Sequence, residues 1–157
     1  MESGKKIIVI GVGNILWSDE GLGVRAVERL QKTALRETVK LIDAGTSLQR
    51  ALPLAEGFEK MIIIDAVKAG KPAGTFHRFT LEELEQGKTG PMELKLSLHE
   101  IDVPRAIAME RLVARLPEQI IFLGLEPEKI GPGMELSRAV LEKMDLLVSE
   151  IKKELEQ

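Results

Sequence analysis

A three-layer α/β/α sandwich around a mostly parallel, twisted, five-stranded sheet with one antiparallel edge strand is the fold this sequence predicts. Three observations predict it. Short aliphatic runs such as Ile7-Ile8-Val9-Ile10 and Met61-Ile62-Ile63-Ile64 have the composition of parallel strands buried on both faces. Segments of helical periodicity alternate with these runs, which is the pattern of repeated βαβ units. A glycine-rich stretch follows the first run directly, where a first strand would hand over to a first helix.

The elements follow in order. Ile7–Ile10 is the first strand and Val39-Lys40-Leu41-Ile42 the second. Met61–Ile64 is the third and the most apolar. Thr75-Phe76-His77-Arg78-Phe79 alternates, which suits an edge strand and puts His77 on the surface. Gln119–Leu125 is the last strand. Between them, residues 22–33 place Ala26, Val27 and Leu30 on one helical face. Residues 47–56 group Leu48, Leu52 and Ala55, with Pro53 shortening or kinking that helix. Residues 103–115 carry Ile107, Leu112 and Val113, with Pro104 in the first turn. Leu136, Val140, Leu141, Met144, Leu147, Val148, Ile151 and Leu155 predict one closing helix over 134–155. Residues 86–98 read as a loop leading to His99. No repeat or interdomain linker interrupts the pattern, so residues 1–157 are expected to form a single domain.

Composition narrows the function. The chain is 44% apolar but only 3% aromatic, so its core is aliphatic. A net charge of −3 with interleaved signs offers no basic face for nucleic acid. The absence of cysteine excludes disulfides, thiolate catalysis and Cys-ligated metals. The apolar run near the N-terminus is too short for a secretory signal, and no run approaches a membrane span. A cytoplasmic protein that binds neither membrane nor nucleic acid, with a monomer as the default state, is the expectation.

The stretch Gly11-Val12-Gly13-Asn14-Ile15-Leu16-Trp17-Ser18-Asp19-Glu20-Gly21-Leu22-Gly23 imitates a dinucleotide fingerprint and fails it. Leu16 stands where the third glycine belongs, and Asp19 and Glu20 would repel a pyrophosphate. Asp43, 30 residues beyond Gly13, comes later than the ~20 expected of a ribose-binding acid. The glycines and Asn14 have the backbone freedom that tight loop geometry needs.

Three sets of polar residues should converge. Asp19 and Glu20 follow the first strand, Asp65 ends the third, and His99 follows the long loop. Parallel strands deliver their carboxyl ends to one edge, where open α/β sheets bind ligands. Two carboxylates and an imidazole form a plausible oxygen-and-nitrogen metal site with an open position. Blander roles compete: Asp19 as a turn or capping group, Glu20 as a complement to a helix dipole, Asp65 as a cap, His99 as a helix-entry residue. Neither H-E-x-x-H nor G-x-S-x-G is present. On residues alone a metallopeptidase, a metal-sensing chaperone and a phosphate binder all stay open.

The ordered motifs Gly11-x-Gly13-Asn14-x-Leu16-x-x-Asp19-Glu20-Gly21-x-Gly23, Asp43-x-Gly45-Thr46, Ile63-Ile64-Asp65-Ala66, Ser97-x-His99 and Gly124-x-x-Pro127 resemble the hydrogenase maturation endopeptidases. The resemblance runs from Ile7 to about Leu147. It implies an aspartic-type endopeptidase that removes a C-terminal extension from a [NiFe] hydrogenase large-subunit precursor after nickel insertion. It maps the metal-contacting and catalytic residues to Glu20, Asp65 and His99, and implies that the nickel is carried by the substrate, with no organic cofactor. Gly13, Asn14, Asp19, Gly45 and Thr46 are expected to line the substrate cleft. A non-enzymatic nickel-sensing chaperone of the same precursor is the alternative. The metal could polarise the scissile carbonyl, or Asp65 or Glu20 could serve as general base with His99 as proton donor.

Overall fold

The aliphatic runs fold into strands that extend further than their apolar cores. The computed structural model describes residues 4–86, 95–97 and 102–157. Strands β1 (Ile7–Val12), β2 (Val39–Gly45), β3 (Lys60–Lys68), β4 (Phe76–Thr80) and β6 (Gln119–Leu125) form a sheet in the order β2-β1-β3-β6-β4. All neighbours are parallel except β4, which runs antiparallel to β6 at the edge. The two-residue strand β5 (Lys95–Leu96) pairs antiparallel with Val67 and Lys68 of β3. That pairing carries β3 past Asp65, which lies inside the strand rather than at its end.

Strict alternation along β3 divides the core. Met61, Ile63 and Val67 face one layer, where Leu48 and Ala51 of α2 (Leu48–Ala51) meet Val103 and Ile107 of α4 (Val103–Glu110). Ile62, Ile64 and Ala66 face the other, against α1 (Leu22–Gln31) and α6 (Met144–Leu155). By this period-two register Asp65 belongs to the row of Met61, Ile63 and Val67. A carboxyl therefore occupies a slot that the pattern assigns to an apolar side chain.

Helix boundaries differ from the periodicity in three places. The closing stripe is two helices, α5 (Arg138–Leu141) and α6, separated by a turn in which Lys143 N–H donates to Val140 O. Leu141 consequently faces outward. Helix α4 stops at Glu110, because the chain turns back so that Arg115 meets Glu56 and Gly57. Leu112 and Val113 are left exposed. A short helix α3 (Leu81–Gln86) fills a stretch to which the periodicity assigned no element, just ahead of the segment read as loop, with Thr80 and Glu83 forming a reciprocal capping box. Pro53 ends α2 in a 3-10 turn over Leu52–Ala55, and Pro104 lies in the first turn of α4 behind the Asp102 cap.

At the amino-terminal edge of the sheet, buried Lys60 donates to the carboxylate and backbone carbonyl of Glu154, whose carboxylate also accepts from Arg78. This cluster anchors α6. At the opposite edge Gly23 lets α1 rest directly on the sheet backbone. A Cβ there would lie 2.2 Å from Ile64 O and 2.5 Å from Val12 O. Neither carbonyl can move without breaking the strand pairing. Gly23→Ala is expected to cost on the order of 3 kcal/mol by overpacking; a urea midpoint within experimental error of the wild type would refute this close packing.

Candidate functional site at the carboxyl edge of the sheet

The chain leaves β1, builds β2 on one side, and returns to place β3 on the other. The gap between the carboxyl ends of β1 and β3 is the topological switch point, where such sheets hold ligands. A cleft of about 230 Å³ opens near this edge. It is lined by Glu20 after β1, Ala66 and Lys68 of β3, Leu96 and Ser97 at β5, and Pro127 and Ile130 after β6.

Asp65 lies behind the wall and is almost completely buried. Its Oδ1 accepts from Ala66 N–H at 2.8 Å and from the Ser97 hydroxyl, and its Oδ2 accepts from Ser97 N–H at 2.9 Å. Burial pushes its pKa from an ordinary 3.8 to about 8, against the lowering effect of these donors. The Glu20 carboxylate adds a smaller push in the same direction. The structure thus brings Glu20 and Asp65 into one electrostatic neighbourhood. A carboxyl in this state is mostly protonated at neutral pH.

His99 lies outside the described residues. Among the described residues no group of three His, Cys, Asp or Glu side chains could hold a metal ion.

Asp19 does not line the cleft. It is fully buried, and its oxygens accept from Glu128 N–H, Lys129 N–H, Ser137 N–H and the Ser137 hydroxyl at 2.7 to 2.9 Å. It ties the β1–α1 loop to the segment after β6, the turn-group role that its sequence position also allowed. Nor does the glycine loop leave space for a substrate backbone at Gly13. With φ +137°, a Cβ there would lie 1.8 Å from Glu20 O, so Gly13 accommodates its own loop. Its N–H donates to Gly45 O at 2.7 Å, joining the ends of β1 and β2. Asn14 folds its Oδ1 back onto Leu16 N–H, and Thr46 is exposed beyond Gly45. None of Gly13, Asn14, Gly45 and Thr46 is among the described lining residues.

Sequence reasoning missed several contributors. Ser97 is the residue that fixes Asp65; its only signal was its place in Ser97-x-His99. Lys68 and Ile130 line the cleft without any motif. His77, expected on the surface, is mostly enclosed and pairs with buried Glu126 at 2.8 Å. Glu126 also accepts from Ala69 and Gly70 N–H, which holds the chain just beyond Lys68.

The hydrogenase maturation protease family model matches residues 24–154. The hydrogenase expression/formation protein HupD of Rhodobacter capsulatus is 34% identical over 96% of this chain and 71% of its own length. The hydrogenase 2 maturation protease of Escherichia coli is 33% identical over 86% of this chain and 81% of its own. The solved structure of the hydrogenase maturating endopeptidase HybD from E. coli superposes with a TM-score of 0.82 at 28% identity, covering 96% of this chain and 91% of that one. A fold with a carboxylate pair at its switch point, a match over most of the chain and relatives above 30% identity agree: the chain belongs to the hydrogenase maturation protease family, and is a peptidase.

Proposed function

We propose that this peptidase removes a C-terminal extension from the large-subunit precursor of a [NiFe] hydrogenase once nickel is in place, and that Glu20, Asp65 and His99 read the precursor's nickel. The observation that carries this reading is the buried Asp65 carboxyl, held by Ser97 at the edge of a cleft that Glu20 lines. On this reading the nickel is substrate, no organic cofactor takes part, and the protein works as a cytoplasmic monomer.

The protonation of Asp65 supplies a reason for acting only on the loaded precursor. A carboxylic acid with a pKa near 8 is a poor base at neutral pH. A cation brought to the cleft favours its ionised form and expels the proton. Asp65 then becomes available as ligand or as general base toward water, with Glu20 as the second carboxylate and His99 as proton donor. A nickel-free precursor leaves the acid protonated and the site idle.

Two measurements test this. Intact mass of nickel-loaded and nickel-free precursor, before and after incubation, should show loss of one discrete C-terminal peptide from the loaded sample alone. A stable complex without cleavage would instead support the chaperone reading. Docking of the loaded precursor should tighten roughly tenfold per pH unit up to pH ~8 and level off above it, with about one proton released per complex at pH 7. Calorimetry in buffers of different ionisation enthalpy measures that proton, and no release at pH 7 would refute the role given to Asp65.

A further inference from the structure

A cleft of about 230 Å³ is smaller than the roughly 300–1,000 Å³ of pockets that enclose a small ligand. It cannot by itself select one protein among many. The surface beside it carries what the cleft lacks. The loop 14–19 and the segment 128–137 are zipped together by their backbones. Gly133 N–H donates to Leu16 O at 3.0 Å, Ser18 N–H to Gly133 O at 2.9 Å and Asp19 N–H to Lys129 O at 3.2 Å. Trp17 bridges to Gly133 and Ser18 to Ile130. Beneath the zipper lie the Asp19 tie and a buried Ser18 hydroxyl that donates to Gly131 O at 2.8 Å.

This buried polar framework holds large apolar side chains out in solvent. Leu16 is 57% exposed, Trp17 38%, Ile130 45% and Met134 63%. Apolar groups gathered on the surface in this way mark interaction sites. Ser18, between Trp17 and Asp19, has φ +54°, the only positive φ at a non-glycine position among the described residues. Such strain persists where the surroundings over-determine it, commonly at functional sites. Ile130 belongs both to this surface and to the cleft wall.

We propose that Leu16, Trp17, Ile130 and Met134 form a docking platform, continuous with the cleft, for an apolar face on the folded body of the precursor. This rests on the processing reading above. The platform supplies affinity and partner selection by burying apolar area, while the cleft receives the segment to be cut. Anchoring a large partner through a central aromatic and flanking aliphatic groups is how protein interfaces concentrate their binding energy.

The test uses the whole protein and the cognate nickel-loaded precursor. The double variant Leu16→Ser/Met134→Ser changes only exposed side chains and should keep the wild-type thermal midpoint. It should bind the precursor at least tenfold more weakly by biolayer interferometry, yet cut at the wild-type rate once enzyme saturates. Leu112→Ser/Val113→Ser, on the exposed segment after α4, should bind within twofold of the wild type. The chain has one tryptophan, so incorporation of 5-fluorotryptophan gives a single ¹⁹F resonance that should shift on complex formation. Binding of the Leu16/Met134 variant within twofold of the wild type, or an unshifted resonance in the wild-type complex, would overturn the platform. So would a wild-type dimer in sedimentation that this variant abolishes, since the occupant would then be a second copy. Wild-type binding without cleavage, lost in the variant, keeps the platform and refutes processing; neither binding nor cleavage by the wild type refutes both.

Discussion

Asp65→Asn is expected to lower processing of the loaded precursor by roughly a hundredfold or more and, at pH 9, to make the protein more stable than the wild type. The loss of activity follows from the chemistry: an amide cannot ionise, so it can neither ligate as an anion nor take a proton from water. The gain in stability follows from burial. In the unfolded chain Asp65 titrates near 3.8, and in the folded protein near 8. Between those values folding requires proton uptake, so the contribution of this group falls as pH rises from about 4 to about 8 and is constant above. The folded wild type above pH ~8 therefore carries a buried charge whose cost, for a shift of about four pH units, is on the order of 5 kcal/mol, more than any hydrogen bond the amide forfeits. Asparagine removes that cost and flattens the profile.

Below about pH 4, where the wild type keeps the full contribution of the protonated group, the order reverses. The protonated carboxyl still accepts from Ala66 and Ser97 N–H, and its own O–H can donate to the Ser97 hydroxyl. An amide must instead point its NH₂ at one of those two backbone donors, leaving that donor unsatisfied at a cost of about 1–3 kcal/mol. The wild-type and variant curves of unfolding free energy against pH should cross between these limits. Urea titrations from pH 3 to 9 measure the crossing. Parallel curves would mean that Asp65 is not held protonated, and full processing by the variant would remove it from the catalytic site.

The sheet was readable because its signal is local. Ile7–Ile10 and Met61–Ile64 are buried on both faces, so every position is apolar and the run announces itself. The interruption at Asp65 was legible for the same reason: a carboxyl directly after three isoleucines breaks a pattern that burial enforces. Periodicity failed where exposure broke it. Leu112, Val113 and Leu141 continue an apolar stripe in sequence, yet Leu112 and Val113 lie in the turn at Arg111–Arg115, and Leu141 ends α5 on its exposed side just before the turn at Glu142–Lys143. Neither turn carries a glycine or proline to signal it. The remaining omissions are long-range. Ser97 reaches Asp65 across 32 residues and His77 reaches Glu126 across 49, and no local rule pairs them. The glycine loop allowed two purposes, tight backbone geometry and close approach of a substrate, which demand the same residue; the 1.8 Å that would separate a Gly13 Cβ from Glu20 O shows the first at that position.

Asp19→Ala should be among the most destabilising single substitutions in the molecule, at about 4 kcal/mol, with Asp19→Asn costing about 1–2 kcal/mol. Four donors converge on this carboxylate, three of them backbone N–H groups that have no other acceptor if it is removed. Asparagine can keep its oxygen at the Oδ2 position, where Glu128 N–H, Lys129 N–H and the Ser137 hydroxyl donate, and oppose only Ser137 N–H. The graded cost separates loss of the acceptor from loss of the charge, and equal costs for the two variants in urea titration would refute the hydrogen-bond account. The consequence reaches the site because Pro127 and Ile130 line the cleft within a few residues of the tie. Loosening it should weaken precursor binding more than it slows cutting at saturation. Adjacent carboxylates on one short turn thus do opposite work: Asp19 turns inward and fixes the wall, while Glu20 faces the cleft whose wall Asp19 holds.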